Sequence, residues 1–257
     1  MVANPSPREL ARHVPLPGTF NMRDIGGYLA SRGITQWRML LRADALHRLD
    51  DEGRRTLSEL GIRTIVDLRG DNEVAAAPNR LGSLNVRSVR QPLLPTRANA
   101  SGSGTPPLSL SEIYAHVVDQ RPQALVSAVR ELALEDALPA IVHCTMGKDR
   151  TGMVVAVVLA LVGVDDETIV SDYAETERVL RGPFRADLVA SHLERGLSIE
   201  RIETLLMVDP SAIRTFLERI RASYGSVPEF LSRYGMSDEE LARLASRLVV
   251  EDSSKPN

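Results

Sequence analysis

One short segment of this chain carries side chains that could perform nucleophilic chemistry on an anion. Residues 143–152 read HCTMGKDRTG and contain the only cysteine of the 257 residues. A thiolate is a strong nucleophile, and a planar guanidinium can hold two oxygens of a phosphate at once. Cys144 and Arg150, with five residues between them in one segment, therefore indicate covalent catalysis on a phosphate ester, and Lys148 adds positive charge.

Two apolar runs flank this segment and must position it. Residues 140–142 precede it and residues 153–164 follow it, which predicts a strand, a loop and a buried helix. A loop that enters a helix directs several backbone N–H groups toward one point, where the helix dipole also favours anions. We therefore expect Cys144 to lie as a thiolate in an anion-binding loop, with Gly147 permitting the turn.

Composition limits the remaining function classes. A net charge of −3 gives no reason to expect nucleic-acid binding. One cysteine cannot form an internal disulfide, which suits a reducing compartment. The longest apolar run, residues 153–164, is too short to span a membrane, and residues 1–17 lack the apolar core of a signal peptide. We expect a cytoplasmic protein without cofactor or metal, while export by an unconventional route stays open.

The order of the predicted elements indicates an α/β fold. Strands alternating with helices predict a parallel central sheet flanked by helices, followed by a mostly helical C-terminal half. The predicted strands are 37–42, 62–68, 84–89 and 140–143, and the predicted helices are 49–60, 109–134, 165–181, 184–195, 198–206, 210–223, 226–234 and 237–249. We expect an extended segment at 1–16, a single domain at 17–250, a mobile loop at 91–107, a flexible tail at 251–257 and an interior position for Trp37.

Several further segments, together with the C-x5-R loop, carry a family resemblance. They are NMRDIGGY from residue 21, LRAD from 41, LGIRTIVDLR from 60, DY from 172 and YGSV from 224. In this order and spacing the chain resembles the bacterial tyrosine phosphatases of the protein-tyrosine-phosphatase B type, from about residue 17 to residue 248. These belong to the superfamily of cysteine-dependent phosphatases, so the resemblance implies a phosphatase-like α/β fold.

The resemblance also implies roles for the residues of the loop. Cys144 would attack phosphorus, Arg150 would clamp two phosphoryl oxygens, and His143 would support the loop from the strand side. The Thr151 hydroxyl would donate to the thiolate. The phosphate-binding residues would be Thr145, Met146, Gly147, Lys148 and Thr151.

The same pattern implies substrates and inhibitors. Phosphotyrosine-containing proteins are the expected partners, with phosphoserine, phosphothreonine or phosphoinositides as additional substrates. A lysine at the position of Lys148 also occurs in phosphoinositide phosphatases, although it could merely offset the charge of Asp149. Phosphate and other oxyanions would act as inhibitors.

The sequence offers two candidates for the proton donor to the leaving oxygen. The superfamily uses an aspartate on a mobile loop after an earlier strand, but residues 89–100 contain no Asp or Glu. Asp149 is therefore the first candidate and Asp67 the second. Because a carboxylate that ends a buried strand needs a partner, Asp67 could instead hold Arg42 or Arg150.

Other interpretations of single residues and of the whole loop stay open. Arg23, Arg42 and Arg69 each stand beside a strand or turn, where they are either solvated or in contact with the substrate phosphate, and Arg23 and Asp67 are also candidates for supporting the site. A rhodanese-like sulfurtransferase also uses a cysteine loop, but usually with one residue fewer before the arginine. A catalytically silent phosphoprotein-binding module would typically lack the nucleophile.

Overall fold

A computed structural model describes residues 12–94 and 109–251 of the chain. In these residues the strands are β1 (Arg23–Asp24), β2 (Leu29–Ala30), β3 (Gly33–Thr35), β4 (Leu40–Ala43), β5 (Thr64–Asp67), β6 (Arg87–Arg90), β7 (Ala140–His143) and β8 (Val249–Glu251). The main sheet has the order β1-β4-β7-β5-β6. Strands β4, β7, β5 and β6 run parallel, and β1 pairs antiparallel with β4. The predicted central parallel sheet is confirmed.

Helices cover both faces of this sheet. They are α1 (Asp51–Glu59), α2 (Asp71–Ala76), α3 (Leu110–Gln120), α4 (Pro122–Leu132), α5 (Asp149–Leu161), α6 (Asp166–Ala174), α7 (Thr176–Val179), α8 (Pro183–Glu194), α9 (Ile199–Leu206), α10 (Pro210–Tyr224), α11 (Val227–Arg233) and α12 (Asp238–Leu248). The helical C-terminal half is confirmed.

Successive residues of the central strands pack into two different apolar clusters, one on each face of the sheet. Leu40 and Val142 belong to the larger cluster, which includes residues of α3–α6 and α10–α12. Leu41 and Ile141 belong to a second cluster, which includes Leu57 of α1. Because successive side chains of a strand point to opposite faces, a sheet covered on both sides needs apolar residues at every position.

Some boundaries differ from those predicted from the sequence. The helix predicted for 109–134 is two helices, because proline disfavours helical geometry at the residue before it, and Arg121 (φ −134°, ψ 31°) separates α3 from α4. Trp37 lies in a turn and is 44% exposed rather than interior. Helix α2 was not predicted, because its six residues include no buried side chain and therefore show no apolar period.

The ends of the domain also differ from the predicted boundaries. Leu16 is buried and the Val14 N–H donates to the Met22 carbonyl at 3.0 Å, so residues 12–16 pack against the domain. Glu251, predicted to begin the tail, pairs with Gly33 in the small sheet β2-β3-β8. Residues 1–11, 252–257 and the part of the predicted mobile loop from residue 95 onward lie outside the described residues.

Helices α8 and α9 pack against each other beside the cysteine loop. Their apolar cluster includes Phe184 and Ile202, and Met146 of the loop packs against it. The rings of Phe20 and Phe184 stack with centroids 4.6 Å apart. This helix pair is therefore in direct contact with the predicted phosphate-binding segment. Across the described ranges, no helix has both the length and the apolar character needed to cross a bilayer.

Candidate active site

The cysteine loop connects β7 directly to α5, as the sequence predicts. Cys144 follows the last residue of β7 and is buried, and Asp149 begins α5. Gly147 has a φ of +66°, and a Cβ atom built there would lie 2.6 Å from the Ala43 carbonyl oxygen. Both the backbone conformation and the close approach of β4 therefore require glycine at this turn.

All backbone carbonyls from residue 143 to 148 accept a hydrogen bond, four of them from the surrounding scaffold, one from the His143 ring and one from the first turn of α5. In order, the partners are the Leu68 N–H for His143 O (2.9 Å), the His143 Nδ1 for Cys144 O (3.2 Å), the Ala45 N–H for Thr145 O (3.2 Å), the Asn21 Nδ2 for Met146 O (2.8 Å), the Arg42 Nη2 for Gly147 O (2.8 Å) and the Gly152 N–H for Lys148 O (2.7 Å). Six successive acceptors are thus satisfied on one side of the loop.

This arrangement leaves the opposite side of the loop lined with donors. In a planar trans peptide the N–H points away from the carbonyl of the same unit. Because the carbonyls of residues 144–148 face the scaffold, the N–H groups of residues 145–149 face the other way. Among the residues that the structure describes, these N–H groups have no hydrogen-bond partner. Together with the N-terminus of α5, they form a site that favours anions.

A buried ion cluster holds the outer side of the loop. Arg42 contacts one Asp172 carboxylate oxygen and Arg23 the other, and the three side chains are at most 3% exposed. Burial alone would raise the pKa of Asp172, but the charges of Arg42 and Arg23 outweigh it and lower the pKa. Arg23 and Arg42 are therefore buried members of an ion cluster on the carbonyl side of the loop, and neither is solvated.

Arg150 is held by a glutamate that the sequence analysis did not identify. Glu73 of α2 accepts from the Arg150 Nη1 at 2.6 Å and from its Nη2 at 2.7 Å, and it also accepts from the Thr145 hydroxyl. Glu73 thus occupies the edge of the guanidinium formed by Nη1 and Nη2. The edge that carries Nε is not bound by Glu73. The Gly70 N–H donates to the Glu73 carboxylate at 3.0 Å, which is one half of a capping box. Because glycine has no side chain to return the bond, the signal for α2 in the sequence is weak.

The Glu73 carboxylate stays ionised over the whole working range of pH. Burial would raise its pKa, but hydrogen bonds and charge from Arg150 outweigh this and lower the pKa from 4.5 to about 2. A carboxyl whose pKa falls on folding stabilises the fold fully above its unfolded pKa. This contribution is therefore lost only as the pH falls from 4.5 toward 2.

Asp67 and His143 end neighbouring strands and belong to one buried network. Asp67 accepts from the Arg69 Nε at 2.9 Å and from its Nη2 at 2.7 Å, so its partner is Arg69 and not the predicted Arg42 or Arg150. Burial lowers the pKa of His143 to about 4, which leaves the ring neutral at pH 7. Arg69 is 1% exposed, so it too is a structural side chain.

Lys148 and Asp149 form an ion pair, with the Lys148 Nζ 3.5 Å from the Asp149 Oδ2, and each side chain has further partners. The buried Lys148 ammonium donates to the carbonyls of Leu205 (2.7 Å) and Met207 (2.6 Å) at the end of α9. The Lys148 charge is thus shared between α9 and Asp149 in this structure, which agrees with the alternative that Lys148 offsets the charge of Asp149. Asp149 accepts from the Tyr114 hydroxyl at 2.6 Å and is 21% exposed.

Thr151 keeps a polar group available beneath the loop. Its side chain is buried, and its hydroxyl has no hydrogen-bond partner in the described part of the chain. The bond to the Cys144 sulfur that the sequence analysis expects is not formed in this structure. A buried hydroxyl without a hydrogen-bond partner lowers the stability of the fold. The predicted donation from Thr151 to the Cys144 thiolate would satisfy this hydroxyl and stays a prediction.

A parallel sheet with a buried cysteine under a ring of free amides is the arrangement of the cysteine-dependent phosphatases. A profile described as "Tyrosine phosphatase family" matches residues 14–250, and the chain belongs to this family. It is therefore a phosphatase, which confirms the predicted enzyme class.

The chain is also similar to individual proteins and to solved structures. The chain is 28% identical to the "Triple specificity protein phosphatase PtpB" of Mycobacterium tuberculosis, over 91% of this chain and 98% of that protein. It is also 28% identical to a "Tyrosine-protein phosphatase" of Nostoc commune, over 81% and 73% of the two chains. Among solved structures, TpbA of P. aeruginosa aligns with 66% of this chain and 86% of its own, at 22% identity and a TM-score of 0.34.

The buried ion cluster predicts a large loss of stability when its carboxylate is removed. Asp172→Ala leaves two buried guanidinium groups without a counter-ion, which should lower the free energy of unfolding by about 3–5 kcal/mol. Urea denaturation measures this change. Asp187→Ala is the matched control, because Asp187 pairs with the partly exposed Arg48 and should cost no more than about 1 kcal/mol. Equal losses for both variants would contradict the assigned importance of Asp172.

The Glu73–Arg150 pair predicts a selective loss of activity. Glu73→Gln removes the charge that fixes the guanidinium, so kcat/KM for nitrophenyl phosphate should fall about ten- to a hundredfold. Glu59→Gln, an exposed position at the end of α1, should leave kcat/KM unchanged. A rise in activity for Glu73→Gln would instead mean that Glu73 restrains Arg150.

Proposed function

We propose that this phosphatase hydrolyses phosphotyrosine in protein substrates with Cys144 as the nucleophile. The Cys144 sulfur forms a bond to phosphorus while the bond between phosphorus and the tyrosyl oxygen breaks, and that oxygen takes up a proton. Water then attacks the cysteinyl phosphate and releases inorganic phosphate and the thiolate. Arg150 clamps two phosphoryl oxygens in both steps.

The free N–H groups of residues 145–149 are the observation that carries this proposal. They lie in the segment that begins immediately after Cys144, and Arg150 follows them in the first turn of α5. Donors held in place before the reaction stabilise the charge that develops on the phosphoryl oxygens at little reorganisation cost. Thr145, Met146, Gly147 and Lys148 would therefore act through their backbone, and Thr151 through its hydroxyl.

We assign the proton donor to Asp149 rather than to Asp67. Asp67 is 1% exposed and bound to both Arg69 and Asn79, and its pKa is lowered because the bonds from Arg69 outweigh burial. Such a carboxylate has neither a proton to give nor a path to the substrate. Asp149 is 21% exposed and begins α5 directly after the donors of the loop, where its carboxylate accepts from the Tyr114 hydroxyl and pairs with the Lys148 ammonium.

A broader substrate range is a further part of the proposal. The mycobacterial relative is named a triple specificity phosphatase, which supports activity on phosphoserine, phosphothreonine or phosphoinositides as well. In this structure the Lys148 ammonium is bound to carbonyls at the end of α9, so it does not form a binding site for a second phosphate group. Hydrolysis rates on a panel of phosphotyrosine, phosphoserine and phosphothreonine peptides and of phosphoinositides would define the range.

The assignment of the nucleophile predicts the effect of replacing it. Cys144→Ser should lower hydrolysis of a phosphotyrosine peptide at least about a thousandfold, because a hydroxyl without a base is a poor nucleophile. The variant should still bind the peptide, which calorimetry measures. Ser171→Ala, at an exposed position on α6, controls for the effects of mutagenesis and purification and should retain full turnover. Wild-type protein without activity, or an active Cys144→Ser variant, would refute the proposed function.

The assignment of the proton donor predicts a dependence on the leaving group. Asp149→Asn should lower turnover about a hundredfold for an alkyl phosphate, whose leaving oxygen needs the proton. Nitrophenyl phosphate should be affected much less, since its leaving group is stable as an anion. Asp67→Asn should affect both substrates alike, through the loss of a structural partner. Leaving-group dependence at Asp67 and none at Asp149 would reverse the assignment.

A further inference from the structure

Asn79 occupies a junction between the strand ends that carry Asp67 and His143. Its Oδ1 accepts from the Arg69 Nη2 at 2.9 Å. Its Nδ2 donates to the Asp67 Oδ2 at 3.2 Å and lies 3.1 Å from the His143 Nε2. One partly buried amide thus contacts a guanidinium, a carboxylate and an imidazole at the same time.

The chemistry of these neighbours fixes which way the amide points. A guanidinium can only donate hydrogen bonds, so the atom that faces Arg69 must be the oxygen of Asn79. An ionised carboxylate can only accept, so the atom that faces Asp67 must be the nitrogen. The Nδ2 group has two hydrogens, and one remains for the His143 Nε2. In this contact Nε2 is therefore the acceptor.

The role of Nε2 determines the tautomer of His143. A neutral imidazole carries one hydrogen, and when Nε2 accepts, that hydrogen must be on Nδ1. The ring is fully buried, and burial keeps it neutral by lowering its pKa. The Nδ1 lies 3.2 Å from the Cys144 carbonyl oxygen, so the Nδ1–H donates to it. This bond turns the Cys144 carbonyl toward the scaffold and the Thr145 N–H toward the anion site.

We propose that Asn79 is a positioning residue that sets the His143 tautomer and thereby holds the peptide after the nucleophile in its catalytic orientation. The other tautomer has a competing partner, because the Asp67 Oδ2 lies 3.6 Å from the His143 Nε2. Without Asn79, this carboxylate would attract an Nε2–H. The bare Nδ1 would then face the Cys144 carbonyl, lone pair against lone pair. The inference rests on the proposed function of Cys144.

The tautomer can be read directly by NMR. Long-range ¹H–¹⁵N correlation of the imidazole rings distinguishes a protonated Nδ1 from a protonated Nε2 without any catalysis. The chain has five histidines, so the His143 signal can be assigned by its loss in His143→Gln. We expect Nδ1–H in the wild-type protein at pH 7. A wild-type ring with the hydrogen on Nε2 would overturn the proposal without any variant of Asn79.

Two variants of Asn79 test the cause. In Asn79→Ala the hydrogen should move to Nε2, where Asp67 accepts it. Asn79→Asp keeps the shape and the bond from Arg69 but offers no hydrogen, so Nε2 should be protonated there too. Asn72→Ala, at an exposed position on α2, is the matched control and should leave the spectrum unchanged. A His143 spectrum of wild-type form in a folded Asn79 variant would overturn the proposal.

The functional consequence is measured separately. For Asn79→Ala we expect kcat/KM for nitrophenyl phosphate to fall about tenfold, the scale of one lost hydrogen bond in the site. The move of the His143 hydrogen to Nε2 in the same variant is a change that mere loosening of α2 would not produce. A changed tautomer with unchanged kcat/KM would refute the positioning role. Inactivity of the wild type, with Nδ1–H present, would refute the proposed function instead.

Discussion

The phosphate loop depends on a carboxylate that never reaches the substrate. For its N–H groups to converge, the loop must turn its carbonyls outward, and each carbonyl needs a donor in the scaffold. Arg42 supplies that donor to Gly147, but a buried guanidinium is tolerated only with a counter-ion. Asp172 of α6 provides the charge and shares it with Arg23 of β1. The conformation of the loop at Gly147 therefore depends on β1 and α6, neither of which is adjacent to the loop in sequence.

The side chains of Met146 and Lys148 point away from the anion site and connect the loop to helices α8 and α9. Met146 packs into the apolar cluster of α8 and α9, and Lys148 bonds to the carbonyls at the end of α9. A positive charge at the C-terminus of a helix also interacts favourably with the helix dipole. Any displacement of this helix pair therefore acts on the backbone of the proposed phosphate-binding loop, because both contacts belong to the loop itself.

Much of the fold and the centre of the site could be predicted from the sequence. The strand, loop and helix around Cys144 follow from apolar runs and a glycine with a positive φ, which are local properties. The partners of charged residues could not be predicted, because Arg42 and Asp172 are 130 positions apart and any of several carboxylates could have been the counter-ion. Glu73 and Asn79 were missed for a related reason: they lie on or just after a short exposed helix without periodicity.

The free amides of residues 145–149 have a practical consequence for work with this enzyme. Backbone N–H groups do not remain without partners in solution, so water or a dissolved anion must occupy them. Sulfate, phosphate and polycarboxylate buffers will compete with substrate at this site, and purified material can carry an anion from earlier steps. Ionic composition, more than ionic strength alone, will then govern apparent KM values. Chloride salts with an amine buffer are the appropriate reference medium for comparing variants.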